Sequence, residues 1–259
     1  MHKNKEIRSK LLSDGYAIFA VEDMNTLDEL RQVVCSSLDI GPDTSLDMSH
    51  SRISIDEINE RRIGAFRELN KIPGWEQKYF SLAKSICVDL LGPDISIQSK
   101  LNLSIQLPDD MTSTLGLHTD ALSGQSVFEI VLWVPLTNAY GSNSMYIYPR
   151  NISYEMLSKM REYERDGMDA LFEKYKSFAR FLKVDYGSAL IFSPTMFHGN
   201  VVNRTHKSRV SINCRFKNLF SPESETGERR LGSFYRLLTV SEITRLGLSY
   251  RDENISFDD

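Results

Sequence analysis

A change of rhythm near residue 94 constrains this chain more than any other feature. In ISIQSKLNLSIQLP, residues 95–108, the apolar side chains recur on every second position. Leu101, Leu103, Ile105 and Leu107 share one face, and Lys100, Asn102, Ser104 and Gln106 share the other, the alternation of a β-strand. More segments of strand character follow: SVFEIVLWVPL, SMYIYP, RFLKVDYG, SALIFSP and SRVSINCRFKN. Before residue 94 the spacing is mainly helical. KEIRSKLLSDG reads as a helix ended by Gly15, and YAIFAV as a strand. NTLDELRQVVCSSL carries Leu27, Leu30, Val33, Val34 and Leu38 at helical spacing. SIDEINERRIGAFRELNKI and GWEQKYFSLAKSICVDLLG are two further helices, the second closed by Gly92-Pro93.

Helices followed by a run of short strands give an α+β chain, with an antiparallel sandwich or barrel backed by helices. The expected organisation is one domain over 1–259: helical support in 1–93, a strand core in 94–220, and a tail in 221–259. A charged helical insert of about 153–178 interrupts the strands. The tail segment FYRLLTVSEITRLGLSY is expected to be helical, with Thr239 or Ser241 as a cap. The polar face of the first strand suits either an exposed surface or a barrel interior that holds a polar ligand.

A net charge of −4 argues against a generic nucleic-acid partner. No apolar run reaches the length of a membrane span, and the charged N-terminus lacks a signal sequence. Cys35, Cys87 and Cys214 are far apart and form no metal or redox pair, which fits a reducing compartment. The expectation is a soluble cytoplasmic protein with no nucleic-acid or membrane partner.

The chemistry-bearing residues are few. His118-Thr119-Asp120 places an imidazole and a carboxylate one residue apart. Alone it is as well read as a polar turn. Downstream, a strand after Tyr186-Gly187-Ser188 leads to His198-Gly199, and ten residues separate His198 from Arg209. Two histidines and one carboxylate can occupy one face of an octahedral Fe(II) ion and leave the opposite positions open. Arg209 offers a planar, permanently charged fork for a carboxylate. Ser211 lies two residues on and points the same way along a strand. Asn213 and Arg215 share that face, and Val210, Ile212, Cys214 and Phe216 form the apolar back.

Together, His118-x-Asp120, His198 and Arg209-x-Ser211 resemble the 2-oxoglutarate/Fe(II) dioxygenases of the phytanoyl-CoA dioxygenase-like group. LLSDGYAIF is similar to that group's opening. LNLSIQLP, LHTDALSGQSVFEIVLWVPL and SMYIYP resemble the oxygenases of carbohydrate and aminoglycoside (streptomycin-type) biosynthesis clusters. The resemblance covers 101–221 well and the N-terminal third loosely. One departure is Pro149-Arg150-Asn151, where the family carries a Pro-Gly-Ser-His turn. The resemblance implies a double-stranded β-helix (jelly-roll, cupin-like) core with N-terminal helices packed on one sheet. It implies Fe(II) held by His118, Asp120 and His198, and 2-oxoglutarate held by Arg209 with Ser211. Lys100 or Asn102 would reach the same cosubstrate. It further implies consumption of O2, release of succinate and CO2, and hydroxylation of an unactivated C–H as the default outcome. Related halogenases lack the carboxylate, so Asp120 argues against halogenation.

Glu129 and Trp133 share one strand face. They would contact a hydroxylated substrate if that face is inward; otherwise Trp133 packs in the core and Glu129 points outward. Arg150 and Arg215 are candidate anion contacts, with a solvated or structural role as the alternative for Arg150. His206 lies in a polar loop. His50 reads as a loop residue or part of a lid. The insert is an exposed amphipathic helix or else a lid or homodimer contact. The expected substrate is a small polar metabolite: a sugar, nucleotide-sugar or aminocyclitol. Two rival functions are a metal-dependent cupin-type enzyme that does not use 2-oxoglutarate, and a non-catalytic sugar-binding jelly roll. Arg209-x-Ser211 argues against the first and the complete triad against the second.

Overall fold

The structure is a computed structural model that describes residues 2–223 and 229–254. The parts of the tail expectation that fall on 224–228 and 255–259 lie outside the described residues. The large sheet runs β1 (Tyr16–Ala20), β7 (Ser188–Phe192), β4 (Glu129–Pro135), β9 (Arg209–Asn218), β2 (Ile95–Gln98) and β10 (Tyr235–Thr239). The strand β3 (Asn102–Gln106) also pairs with β9. A smaller sheet runs β6 (Arg180–Phe181), β5 (Met145–Ile147) and β8 (His198–Asn200). The named strand pairs are antiparallel, and the ten-residue β9 is the spine. Along one edge it pairs with β4, from Glu129 opposite Lys217 to Pro135 opposite Ser211. Along the other edge β3 and β2 lie end to end, with Ser104 opposite Ser211 and Ile97 opposite Phe216.

The alternation read from SRVSINCRFKN determines what β9 does. Val210, Ile212, Cys214 and Phe216 are fully buried on the outer face, in one core with the helices. Full burial of such side chains stabilises by about 1.5–3 kcal/mol each. That core packs α2 (Met24–Ser37), α3 (Ile58–Leu69), α4 (Trp75–Ser81) and α5 (Lys84–Leu91) against the sheet. α1 (His2–Asp14) ends as expected at Gly15, whose φ of +85° suits glycine and whose N–H reaches the Leu11 carbonyl at 2.9 Å. A second cluster, with Val131, Trp133, Met145 and Phe192, fills the space between the sheets. A third packs the smaller sheet against the insert helices α6 (Arg150–Lys159) and α7 (Gly167–Tyr175). The layers are thus helices, large sheet, small sheet, helices.

Several expected elements differ in extent. The strand over 95–108 is two strands, because Asn70 captures both backbone groups of Leu101. Its amide oxygen accepts the Leu101 N–H and its amide nitrogen donates to the Leu101 carbonyl, each at 2.9 Å. The helix over 74–92 breaks at Leu82-Ala83, where the Leu82 carbonyl accepts the Glu22 N–H at 2.9 Å. The insert begins at Arg150 and is divided by Gly167, with φ of +79°. RFLKVDYG forms the two-residue β6 and a bridge between Val184 and Ala139. The tail segment over 234–250 is half strand: Tyr235–Thr239 pairs with the free edge of β2. Only α8 (Glu242–Asn254) is helical there, and Ser241 caps it through the Thr244 N–H at 3.4 Å. The large sheet therefore takes β1 and β10 from outside 94–220. The three cysteines are buried and unpaired. Among the described residues no helix is long and apolar enough to cross a membrane.

Candidate active site

His118 and His198 meet through the backbone. The N–H of each donates to the carbonyl of the other, at 3.0 and 2.9 Å. This bridge extends the small sheet by one rung and sets the two imidazoles side by side, with ring centroids 4.2 Å apart. Asp120 follows two residues after His118 and joins the same cluster; the ligand atoms of His118, Asp120 and His198 all lie within 4.8 Å of one another. Gly199, next to His198, sits where Tyr146 and Leu115 leave no room for a side chain. A Cβ there would stand 2.5 Å from the Tyr146 hydroxyl and 2.8 Å from the Leu115 carbonyl.

The cluster could hold a metal ion. Nδ1 of His118 lies 2.9 Å from the Gly116 carbonyl, and Nδ1 of His198 lies 2.9 Å from the Met196 carbonyl. A carbonyl only accepts, so each Nδ1 carries a proton, and in the neutral form of either ring the lone pair lies on Nε2. Burial pushes the His198 imidazole down to about 4, so it is neutral at ordinary pH. Burial opposes the charge on Asp120, but the charge and hydrogen bond of Arg215 together with the two neighbouring imidazoles outweigh it and hold the carboxyl below the usual range. Asp120 Oδ2 accepts from Arg215 Nη2 at 2.8 Å, and Oδ1 faces His118 Nε2 at 3.8 Å.

Arg209 lies on the same cavity wall, 3% exposed. Its Nη1 donates to the hydroxyls of Ser104 (2.9 Å) and Ser211 (2.8 Å). Nη2 donates to Gln106 Oε1 at 3.2 Å, and Nε to the Asn143 carbonyl at 3.1 Å. All four partners are neutral, and among the described residues no carboxylate forms an ion pair with Arg209. Burial lowers its pKa only to about 10, so the charge persists. The Trp133 ring lies 6.0 Å from the guanidinium. A cavity of about 190 Å³ brings together His118, Asp120, His198, Arg209, Trp133 and Phe192. A second cavity of about 660 Å³ shares Ser104, Ser113 and Leu115 with it, and Asp56, Asn59, Arg62, Asp110 and Thr112 add polar walls.

The remaining expected residues divide. Asn102 is half-buried and donates its amide to Asn213 Oδ1 at 3.0 Å, beside the cavity. Ser211 stands behind Arg209. Trp133 and Arg215 line the cavity, but the fork of Arg215 is already occupied by protein groups. Glu129 is buried behind Arg215 and does not line the cavity. Lys100 is exposed in the bend that Asn70 creates, away from the cavity. Arg150 is also exposed, starts α6, and donates to the Leu12 carbonyl at 2.7 Å. His206 is exposed, and Nδ1 of His50 lies 2.9 Å from the Ser208 hydroxyl. Sequence reasoning missed Ser104 and Gln106 as supports of Arg209, although both share the polar parity of Asn102. It also missed Asn143, which acts through its backbone and leaves no side-chain signal.

No family model matches the sequence. Over 99 residues the chain is 30% identical to the streptomycin biosynthesis protein StrG of Streptomyces griseus. That match takes in 38% of this chain and 35% of StrG, so the chain spans about a third of the curated relative it matches. Solved structures align over nearly the whole chain. The non-heme alpha ketoglutarate dependent carbocyclase SnoK from nogalamycin biosynthesis superposes with a TM-score of 0.57 at 14% identity, covering 91% of this chain and 96% of SnoK. The nickel complex of the non-heme monooxygenase ThoJ gives 0.54 at 16% identity, covering 91% and 84%. The nogalamycin epimerase SnoN gives 0.51 at 14% identity, covering 87% of each. This chain shares their fold. The expected jelly roll is therefore the architecture of this protein. With 91% of the chain aligned to SnoK, the likeness extends well beyond the strands that carry the cavity.

Proposed function

We propose that this protein is an Fe(II)- and 2-oxoglutarate-dependent oxygenase acting on a small polar metabolite. One observation carries the reading: a two-histidine, one-carboxylate cluster and a buried arginine without a counter-charge line the same cavity. The donor set suits Fe(II), with His118 and His198 offering Nε2 and Asp120 one oxygen. Bound there, Fe(II) with 2-oxoglutarate and O2 would supply the oxidising power to attack an unactivated C–H, with succinate and CO2 as by-products. Arg209 would receive the distal carboxylate of 2-oxoglutarate through a charge-assisted contact. Ser211 and Ser104 accept from Arg209, and their own hydroxyl protons remain free to donate to the same carboxylate. Trp133 and Phe192 would keep water from the reacting face.

The metal cavity is smaller than the roughly 300–1,000 Å³ typical of ligand sites. We infer that the substrate occupies the adjoining 660 Å³ groove and extends only its reacting carbon past Ser113 and Leu115. The carboxylates, amide and hydroxyls of that groove support a sugar, nucleotide-sugar or aminocyclitol over an acyl chain. The partial likeness to a streptomycin biosynthesis protein supports the same class. Hydroxylation is the default outcome, and Asp120 disfavours halogenation. Lys100 has no part in this reading.

Anaerobic addition of Fe(II) and 2-oxoglutarate tests it. The expected result is the weak visible band of the chelate, lost in Asp120→Ala and requiring much more cosubstrate in Arg209→Ala. Metal binding without the band would favour a cupin-type enzyme that does not use 2-oxoglutarate. Absence of metal binding would leave a non-catalytic jelly roll. Succinate release across a panel of sugars, aminocyclitols and acyl thioesters then tests the substrate class; turnover restricted to acyl thioesters would overturn it.

A further inference from the structure

Behind Asp120 lies a buried polar chain that the proposed chemistry does not use directly. Arg215 is its centre. Nη2 holds Asp120 Oδ2 at 2.8 Å, Nη1 donates to Gln98 Oε1 at 3.0 Å, and Nε faces Glu129 Oε1 at 3.3 Å. The last contact is at ion-pair distance and off the angle of a hydrogen bond, and burial pushes the Glu129 carboxyl up to about 7. The other Glu129 oxygen accepts a hydrogen bond from the Tyr235 hydroxyl. Glu129 is 3% exposed and Tyr235 is fully buried. The chain thus runs from β10 through β4 and β9 to the carboxylate of the metal cluster.

We infer that Glu129 and Tyr235 are positioning residues which, through Arg215, reserve a single oxygen of Asp120 for the metal. This rests on the metal reading above. A carboxylate free to rotate can bind an ion through both oxygens and use an extra coordination position. An octahedral ion with three protein ligands has three positions left; a chelating keto acid takes two and O2 needs the third. Arg215 removes Oδ2 from that competition. Glu129 sets the Arg215 fork from the far side and offsets its charge, so that Asp120 keeps its donor strength. Tyr235 fixes the Glu129 carboxylate in turn.

Stability alone does not account for this arrangement. Buried ion pairs are often replaceable by well-packed apolar groups at no cost. Outer groups that orient metal ligands, in contrast, change metal affinity by about 10–100-fold when altered. Glu129 does not line the cavity, so it reaches the metal through Arg215 and Asp120 or through its charge alone, and Tyr235→Phe, which removes no charge, separates the two.

The test is anaerobic titration of the full chain with Co(II), followed by its d–d absorption, with folding checked by circular dichroism. Glu129→Gln and Tyr235→Phe are near-isosteric. Glu129→Gln is expected to weaken Co(II) binding about tenfold and to change the band intensity, as the freed second oxygen alters the coordination number. Tyr235→Phe should move both readouts in the same direction and less. Arg215→Lys keeps the charge but loses the fork, and should weaken binding most. If Arg215→Lys fails to fold, the two milder variants decide. Folded Glu129→Gln and Tyr235→Phe that bind Co(II) with wild-type affinity and spectrum would overturn the inference. Failure of the unaltered protein to bind Co(II) would instead strike the metal reading and take this inference with it.

Discussion

Two arginines on the inner face of β9, Arg209 and Arg215, share a strand, a parity and a cavity, and differ in what surrounds them. Arg215 faces two carboxylates, those of Asp120 and Glu129. Arg209 is more deeply buried and faces only neutral groups: two hydroxyls, an amide oxygen and a carbonyl. A buried cation is costly unless its charge is matched. At Arg215 the match is built into the fold. At Arg209 the fold supplies orientation and no counter-charge, and under the proposed function a ligand carboxylate would meet the charge. Residue type is the same at both positions and both side chains are largely enclosed, so the difference between them is the missing anion at Arg209.

The comparison is most sharply tested by removing each charge in turn. Arg215→Met leaves Asp120 and Glu129 buried without a cation. It should destabilise the protein by about 3–5 kcal/mol, the usual cost of orphaning half of a buried pair. Arg209→Met removes an unmatched charge but orphans four acceptors, so it should cost clearly less than Arg215→Met when no ligand is added. Urea denaturation of both variants reads the difference. Equal destabilisation by the two would mean that Arg209 is structural in the same sense as Arg215.

Ligand-linked stability gives the next largest contrast. With metal present and 2-oxoglutarate at a hundred times its dissociation constant, the folded state should gain about 2.7 kcal/mol. Arg209→Met should lose that gain at the same concentration while still binding the metal. Thermal unfolding with and without cosubstrate measures it. A full shift retained in Arg209→Met would place the carboxylate elsewhere.

The sequence made one side of this comparison legible and hid the other. The strict alternation of Arg209 to Phe216 gave both the strand and its polar stripe, because β9 has partners on each edge and a packed back. The clustering of His118, Asp120 and His198 was legible because the chain has only five histidines and the three residues stand beside strands. What surrounds each arginine was not legible, since it arrives from distant strands. Glu129 and Asp120 reach Arg215 from outside β9, and Tyr235 comes from a segment whose spacing reads as helix but which pairs with an open sheet edge. Lys100 was misplaced for a related reason. Period-two patterning continues through residues 99–101, and only Asn70, the cap at the end of α3 thirty-one residues earlier in the chain, shows that the strand breaks there.

The smallest expected effect probes the neutral groups themselves. Gln106 gives Arg209 an acceptor at 3.2 Å, and Gln98 gives Arg215 one at 3.0 Å. Each should contribute about 0.5–1.5 kcal/mol if the bond is simply counted. The two sites should nevertheless respond differently to Gln→Leu. Around Arg215 two carboxylates still fix the guanidinium, so Gln98→Leu should change metal affinity less than twofold. Around Arg209 the neutral acceptors are all that aims the fork, so Gln106→Leu should weaken 2-oxoglutarate binding several-fold. It should leave metal binding intact. Titration calorimetry under anaerobic conditions resolves both. An equal response at the two sites would show that Arg209 is held by its packing against Trp133 rather than by its hydrogen bonds, and the distinction between an arginine aimed by neutral groups and one locked by charges would fall.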